Sequence, residues 1–418
     1  MGNIRSILSI PAICALLCVP GAASTPDPDQ LVVDLGNAVK KGNAKEVRRL
    51  LDGGADPNRR IPGSDLGYTA LFLAVKGNDP TITKALLDAG AKPEIEDENG
   101  DPVIIYAADA GRTEHAKLLI KHGVSINSRS SEGLTCLMRG ARYEKAPDVR
   151  AKLDLGADPD LTDPQGRTAL MIAADAGNEE AVGQLLAGGA APDVADPAGK
   201  TALMLVAARD AYSGDGTDEA MIINLLVKAG ADIDRRGPEN NTALLLALGN
   251  WTAKPPMIEA LLAAKPDLAV RTAEGRDALY LAVADEDTSE FFDRLVDMGA
   301  DIRTTDDDGV GLLMLAAGNA DQKLVAELLN RGLDPKRLSK GGQNAVHHVA
   351  GIHFYHRDPF GSKEREQKLA QNIPGVLDLL NKSGAVTTLK DRDGDTSLHI
   401  AAAAGNVPAL KWLAAHYT

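Results

Sequence analysis

Between Asp163 and Ala195 the apolar and polar positions fall into two short helical runs separated by a break. Leu170, Ala173 and Ala174 recur three to four residues apart, which predicts a helix over Ala169–Ala176. Leu185 and Leu186 mark a second helix over Glu179–Leu186, whose first turn carries acids suited to a helix N-terminus. Thr168 stands where a capping hydroxyl belongs. Gly177-Asn178 interrupts the two helices, and Gly188-Gly189 closes the pair. Asp163 and Gly166 open it with a tight turn. Such a pair cannot bury its own apolar face, so it must stack on others like it.

The pattern recurs along the chain. The Thr168 position returns as Thr69, Pro102, Thr135, Thr168, Thr201, Thr242, Asp277, Gly311, Asn344 and Thr396, at spacings of 33, 33, 33, 33, 41, 35, 34, 33 and 52. The closing glycine keeps the same irregular rhythm from Gly54 to Gly384, with Lys265 in its place once. The stretches DRDGDTSLHIAAAAGN (Asp391–Asn406) and GGADPN (Gly53–Asn58) resemble the turn, first-helix and loop motifs of the ankyrin repeat family. The resemblance covers roughly residues 31–418 and implies an all-α solenoid of about eleven stacked helix pairs joined by projecting β-turn loops.

Departures from the period divide the array. Leu31–Asn58 lacks the opening turn and reads as an N-terminal cap, after a polar leader at 25–30. Residues 59–66 lengthen the next turn, and Gly67–Ala195 is nearly regular. Repeat six gains eight residues near 210–218, between its helices. Repeat ten gains nineteen within 351–370, where Ser362 and KEREQKLAQ suggest a short extra helix. Residues 391–418 read as a C-terminal cap.

Composition changes the picture little. The 418-residue chain is 44% apolar, 25% charged and only 3% aromatic, as expected where Ala and Leu fill helix-pair cores. A net charge of −14 argues against general nucleic-acid affinity. Residues 1–24 lie outside the array: Arg5, the apolar run Ile7–Pro20 and small residues Gly21–Ser24 have the layout of a secretory signal peptide. Export to the periplasm or exterior is therefore expected, with no stable membrane span in the mature chain. Cys14 and Cys18 would leave with that segment, so Cys136 remains as a buried packing residue with no disulfide partner.

Candidate chemistry is sparse. Asp391, Asp393 and Asp395 mimic the opening of a calcium loop, but Thr396 and Ala402 stand where glycine and glutamate are required. His347, His348, His353 and His356 cluster in repeat ten, the basis of an alternative metal-binding or enzymatic role. His347 and His399 occupy the last position of the family's Thr-Pro-Leu-His motif, which gives them a structural reason to be there. No nucleophile elbow or phosphate loop is present, and neither catalysis, cofactor nor metal is expected.

The resemblance implies protein binding, through a concave face of turn tips and first helices. Tip residues Glu98, Asn99, Gln165, Arg167, Lys200, Glu239, Arg276 and Lys340 vary from repeat to repeat while the Leu and Ala positions persist. Phe354, Tyr355 and Phe360 in the repeat-ten insertion join them as candidates, since aromatics are enriched at interface centres. A monomer binding another protein is expected, either as a resident scaffold or as a secreted effector acting on a host protein.

Overall fold

The computed structural model describes residues 27–142, 149–209, 215–250, 252–285, 288–352 and 363–416. The chain forms two compact bodies divided after Glu132. Among the described residues both are α-helical, with isolated β-bridges and no strands.

In each body the first helix of a repeat packs on the first helix of the next, beginning with Pro28–Lys40 against Ala70–Lys76 in the first body and Cys136–Arg142 against Ala169–Ala176 in the second. Ala169–Ala176 appears with the boundaries the periodicity predicts, and Leu170, Ala173 and Ala174 are fully buried. Its start is fixed by Thr168, whose Oγ1 accepts from Met171 N at 3.3 Å. Thr135, Thr201 and Thr242 cap their helices in the same way. The ten closing positions from Gly54 to Gly384 all have positive φ, Lys265 among them at 57°. The loop demands a left-handed residue, which glycine supplies without steric cost.

Successive repeats are also stitched through the open carbonyl ends of the first helices. Arg112 Nη2 donates to Lys76 O (3.2 Å) and Arg209 Nη2 to Ala176 O (3.3 Å). Asn319 Nδ2 donates to Val283 O and Asn406 Nδ2 to Val349 O, each at 2.9 Å. Cys136 lies in this core with no exposed surface.

Two expectations are corrected. The leader does not stop at residue 30, because Pro28–Lys40 is one helix capped by Asp27, with proline at the position where its missing N–H is harmless. The KEREQKLAQ stretch is no separate short helix: it opens the 20-residue helix Lys363–Lys382 and so extends the second helix of repeat ten. Lys368 and Leu369 of that extension line a cavity with Val283, Ala316 and Leu324 of the two preceding repeats. The lengthened turn at 59–66 folds back, with Ile61 N bonded to Tyr68 O and the Ile61 side chain buried beside Gly36.

Candidate partner-binding surface

Five of the turns are each built around one aspartate. Asp163 Oδ1 accepts from Gln165 N (2.9 Å) and Arg167 N (2.8 Å), and Asp97, Asp196, Asp306 and Asp391 do the same in their turns. The calcium-like pattern at 391–395 is thus a backbone-capping device. Gln343 Nε2 donates to Asp391, which with the turn amides holds that carboxyl below its ordinary range. Among the described residues no group of three or more His, Cys, Asp or Glu could hold a metal ion.

The turns are coupled to one another by backbone bonds: Glu98 N to Leu66 O, Ala273 N to Glu239 O, Asp307 N to Glu274 O, Lys340 N to Asp308 O and Arg392 N to Gly341 O. Where proline follows the aspartate that N–H is missing. There the turn glycine of one repeat faces the proline of the next, Gly133 on Pro164 and Gly166 on Pro197, so closely that a Cβ would lie 2.5 and 2.3 Å from the ring. The tips are therefore presented on a fixed backbone.

On that backbone Glu98, Asn99, Gln165, Glu239 and Lys340 are exposed, and Lys200 is half-buried. Glu239 and Asn240 adopt left-handed backbone in a 3-10 turn. Two of the predicted tip residues are engaged at home. Arg167 pairs with its own buried Asp163 (2.9 Å), and the Arg276 guanidinium lies 5.8 Å from the centre of the Tyr280 ring. Phe354, Tyr355 and Phe360, with His353 and His356, lie outside the described residues.

The remaining repeat-ten histidines separate in role. His347 closes a capping box with Asn344, and its Nε2 meets Leu389 O at 3.1 Å, so both ring nitrogens serve the stack. His348 Nε2 is buried without a partner, and burial pushes this imidazole down to about 4. His399 Nδ1 meets Thr396 Oγ1 at 2.9 Å, again at a helix start.

One feature was missed from sequence. In the first body Tyr68, Phe72 and half-buried Tyr106 form a ring cluster with centroids 5.2 to 5.8 Å apart. Tyr106 donates to Asp97 Oδ2 (2.6 Å), and Lys76 Nζ sits 4.7 Å from the Tyr68 ring centre. The signal available was the scarcity of aromatics, of which the chain has only fourteen.

Stacked helix pairs with tethered turns define a helical repeat array. The family comparison narrows this. Residues 35–130, 71–158 and 137–236 match the description "Ankyrin repeats (3 copies)", and residues 370–414 match "Ankyrin repeats (many copies)". Together these matches take in more than half of the chain, which belongs to the ankyrin repeat family. It is 33% identical over 135 residues to the E3 ubiquitin-protein ligase KEG of Arabidopsis thaliana, covering 32% of this chain and 8% of that one. It is 31% identical over 160 residues to the mitochondrial disaggregase of Bos taurus, covering 37% of this chain and 23% of that one. An ankyrin repeat protein of Rickettsia felis is 30% identical over 130 residues, 31% of this chain and 44% of its own. The chain thus spans less than half the length of each of these relatives. The solved ankyrin repeat domain of Bcl-3 shares 26% identity, covering 55% of this chain and 97% of its own, with a TM-score of 0.47.

Among the described residues no helix is long and apolar enough to cross a membrane. An ankyrin repeat array is as a class a protein-binding scaffold.

Proposed function

We propose that this chain is a protein-binding scaffold that recognises one partner protein through its turn tips and the adjoining ends of its first helices. The observation that carries the reading is a contrast within every repeat. Core and closing positions do the same job from repeat to repeat, while the tips held on the tethered backbone carry different charges, from Glu98 and Glu239 to Lys340. A rigid backbone spares a partner the cost of ordering these loops, so the side chains supply specificity. Arg167 and Arg276 would contribute less than the other tips, because binding would have to take them from Asp163 and Tyr280. Tyr106, half-buried beside Asp97, joins the set as an aromatic anchor in the first body. Export of the mature chain is a separate part of the proposal, supported by the composition of residues 1–24.

The test is affinity capture of the partner by the mature protein, followed by titration of the identified partner with a Glu98→Ala/Glu239→Ala/Lys340→Ala variant. A loss of roughly tenfold or more supports recognition by the tips. Unchanged affinity assigns binding elsewhere and overturns this reading.

A further inference from the structure

Of the ten positions equivalent to Thr168, Gly311 alone has no side chain. Its sister threonines in the second body, such as Thr168, Thr201 and Thr242, are 1 to 3% exposed and fill the space beneath the turn. At Gly311 a side chain is absent but would fit: an added Cβ would lie in ordinary contact with Thr305 Cγ2 at 3.4 Å and Thr304 O at 3.6 Å. A cavity of about 160 Å³ lies there, between repeats nine and ten. Ile302, Leu312, Leu313, Leu333, Pro335 and Ala345 supply the apolar part of its walls, and the rest is polar. Arg303 and Arg337 also line it, and both residues are exposed. Arg337 Nη1 donates to Arg303 O at 3.3 Å, which ties the two loops that form the mouth. Asp334 is the one carboxylate in the lining, and its Oδ1 already accepts from Lys336 N at 2.9 Å.

We propose that this cavity is a binding site for one small aryl or branched-alkyl carboxylate, with the apolar group inside and the carboxylate at the two arginines. The size sets the class. A cavity of about 150 Å³ accepts a single benzene ring, so one ring or one short branched chain matches the enclosed space here. The charge sets the polar end, because two arginines bordering the site match a carboxylate in sign. The same chemistry could come from a free acid or from the C-terminal residue of a peptide. The proposal is independent of protein recognition by the turn tips, since none of the tip candidates lines the cavity.

The test uses methyl NMR of the full chain, observing Ile302, Leu312, Leu313 and Leu333. Phenylacetate should shift these methyls saturably, and neutral 2-phenylethanol should bind at least roughly tenfold more weakly. Arg303→Gln/Arg337→Gln should erase that preference while leaving the alcohol's binding unchanged. Gly311→Thr should abolish binding of both, and because φ is −108° there a side chain is accepted without strain. Its fold is checked by circular dichroism, and Gly311→Ala, which fills less of the cavity, should weaken binding in proportion if the threonine variant misfolds. N-acetyl-Ala-Phe with a free carboxylate separates the sources: tighter binding than phenylacetate points to a peptide terminus, weaker binding to a free acid. Absence of saturable shifts at tens of millimolar, equal affinity for acid and alcohol, or binding that survives the filled cavity each overturns the proposal.

Discussion

Leu170→Ala tests whether the array is held by neighbour-to-neighbour packing. The side chain is fully buried in Ala169–Ala176, which packs on the first helices on either side. Losing three carbon groups at about 0.8 kcal/mol each removes about 2.4 kcal/mol of transfer free energy. A residual void of about 60 Å³, at about 24 cal/mol per Å³, adds about 1.4 kcal/mol. The void should persist, because the helix is pinned by the Thr168 cap and by left-handed Gly177 and has little freedom to collapse. The expected cost is therefore about 4 kcal/mol, in the upper half of the range for such truncations. In an array that cost falls on the repeats around residue 170 and should split the unfolding transition. The assay is urea unfolding followed by far-ultraviolet circular dichroism for the whole chain. Trp412 fluorescence, in a Trp251→Phe background, reports the C-terminal repeats. Trp412 is suited to this because Nε1 donates to Asp378 (2.8 Å) and the ring stacks on His416. The circular dichroism midpoint should fall and the Trp412 midpoint should move much less. A midpoint unchanged by both probes would refute the core assignment, and one shared shift would refute the nearest-neighbour picture.

Other expectations follow from single positions. Lys265→Gly should raise stability by about 1 kcal/mol in the same assay, since Lys265 holds left-handed backbone at φ 57°. No gain would mean the strain is offset by contacts of the lysine. His348 is pushed down to about 4 by burial, with His347 adding to the effect. The unfolded chain takes up this proton near pH 6.5 and the folded chain only near 4, so stability is full above pH 6.5 and falls as pH drops through that window. The whole loss is on the order of 3 kcal/mol, and His348→Leu, which copies Leu315 of the preceding repeat, should remove it. An unaltered acid slope in that variant would count against the buried-imidazole account. Native protein should begin near Thr25 on N-terminal sequencing; an intact Gly2, or lipid on Cys18, would contradict export as a soluble chain.

Much of the fold was legible because the structure repeats its local chemistry. Helix starts at Thr168 and Thr201 and left-handed ends at Gly189 and Gly230 depend on residues a few positions apart, so the sequence shows them directly. The stitching bonds were not legible. Arg112, Arg209, Asn319 and Asn406 reach carbonyls 33 to 57 residues away, and those acceptors carry no side-chain signature. The extension at 363–370 was half visible: its helical character was clear, but its continuity with the following helix was masked by Pro374. The candidate surface was placed on the turn tips from sequence, yet exposure could not be told from engagement. Arg167 and Lys200 precede equivalent threonines, and only Arg167 is paired to its buried aspartate.

The central claim is that tethered, variable tips recognise a protein. Its most direct test is calorimetric titration of the captured partner into wild-type protein and into the Glu98→Ala/Glu239→Ala/Lys340→Ala variant, with matched circular dichroism confirming that both are folded. Recognition by the tips predicts saturable binding to the wild type and a loss of roughly tenfold or more in the variant. Equal affinity for the two proteins would contradict it.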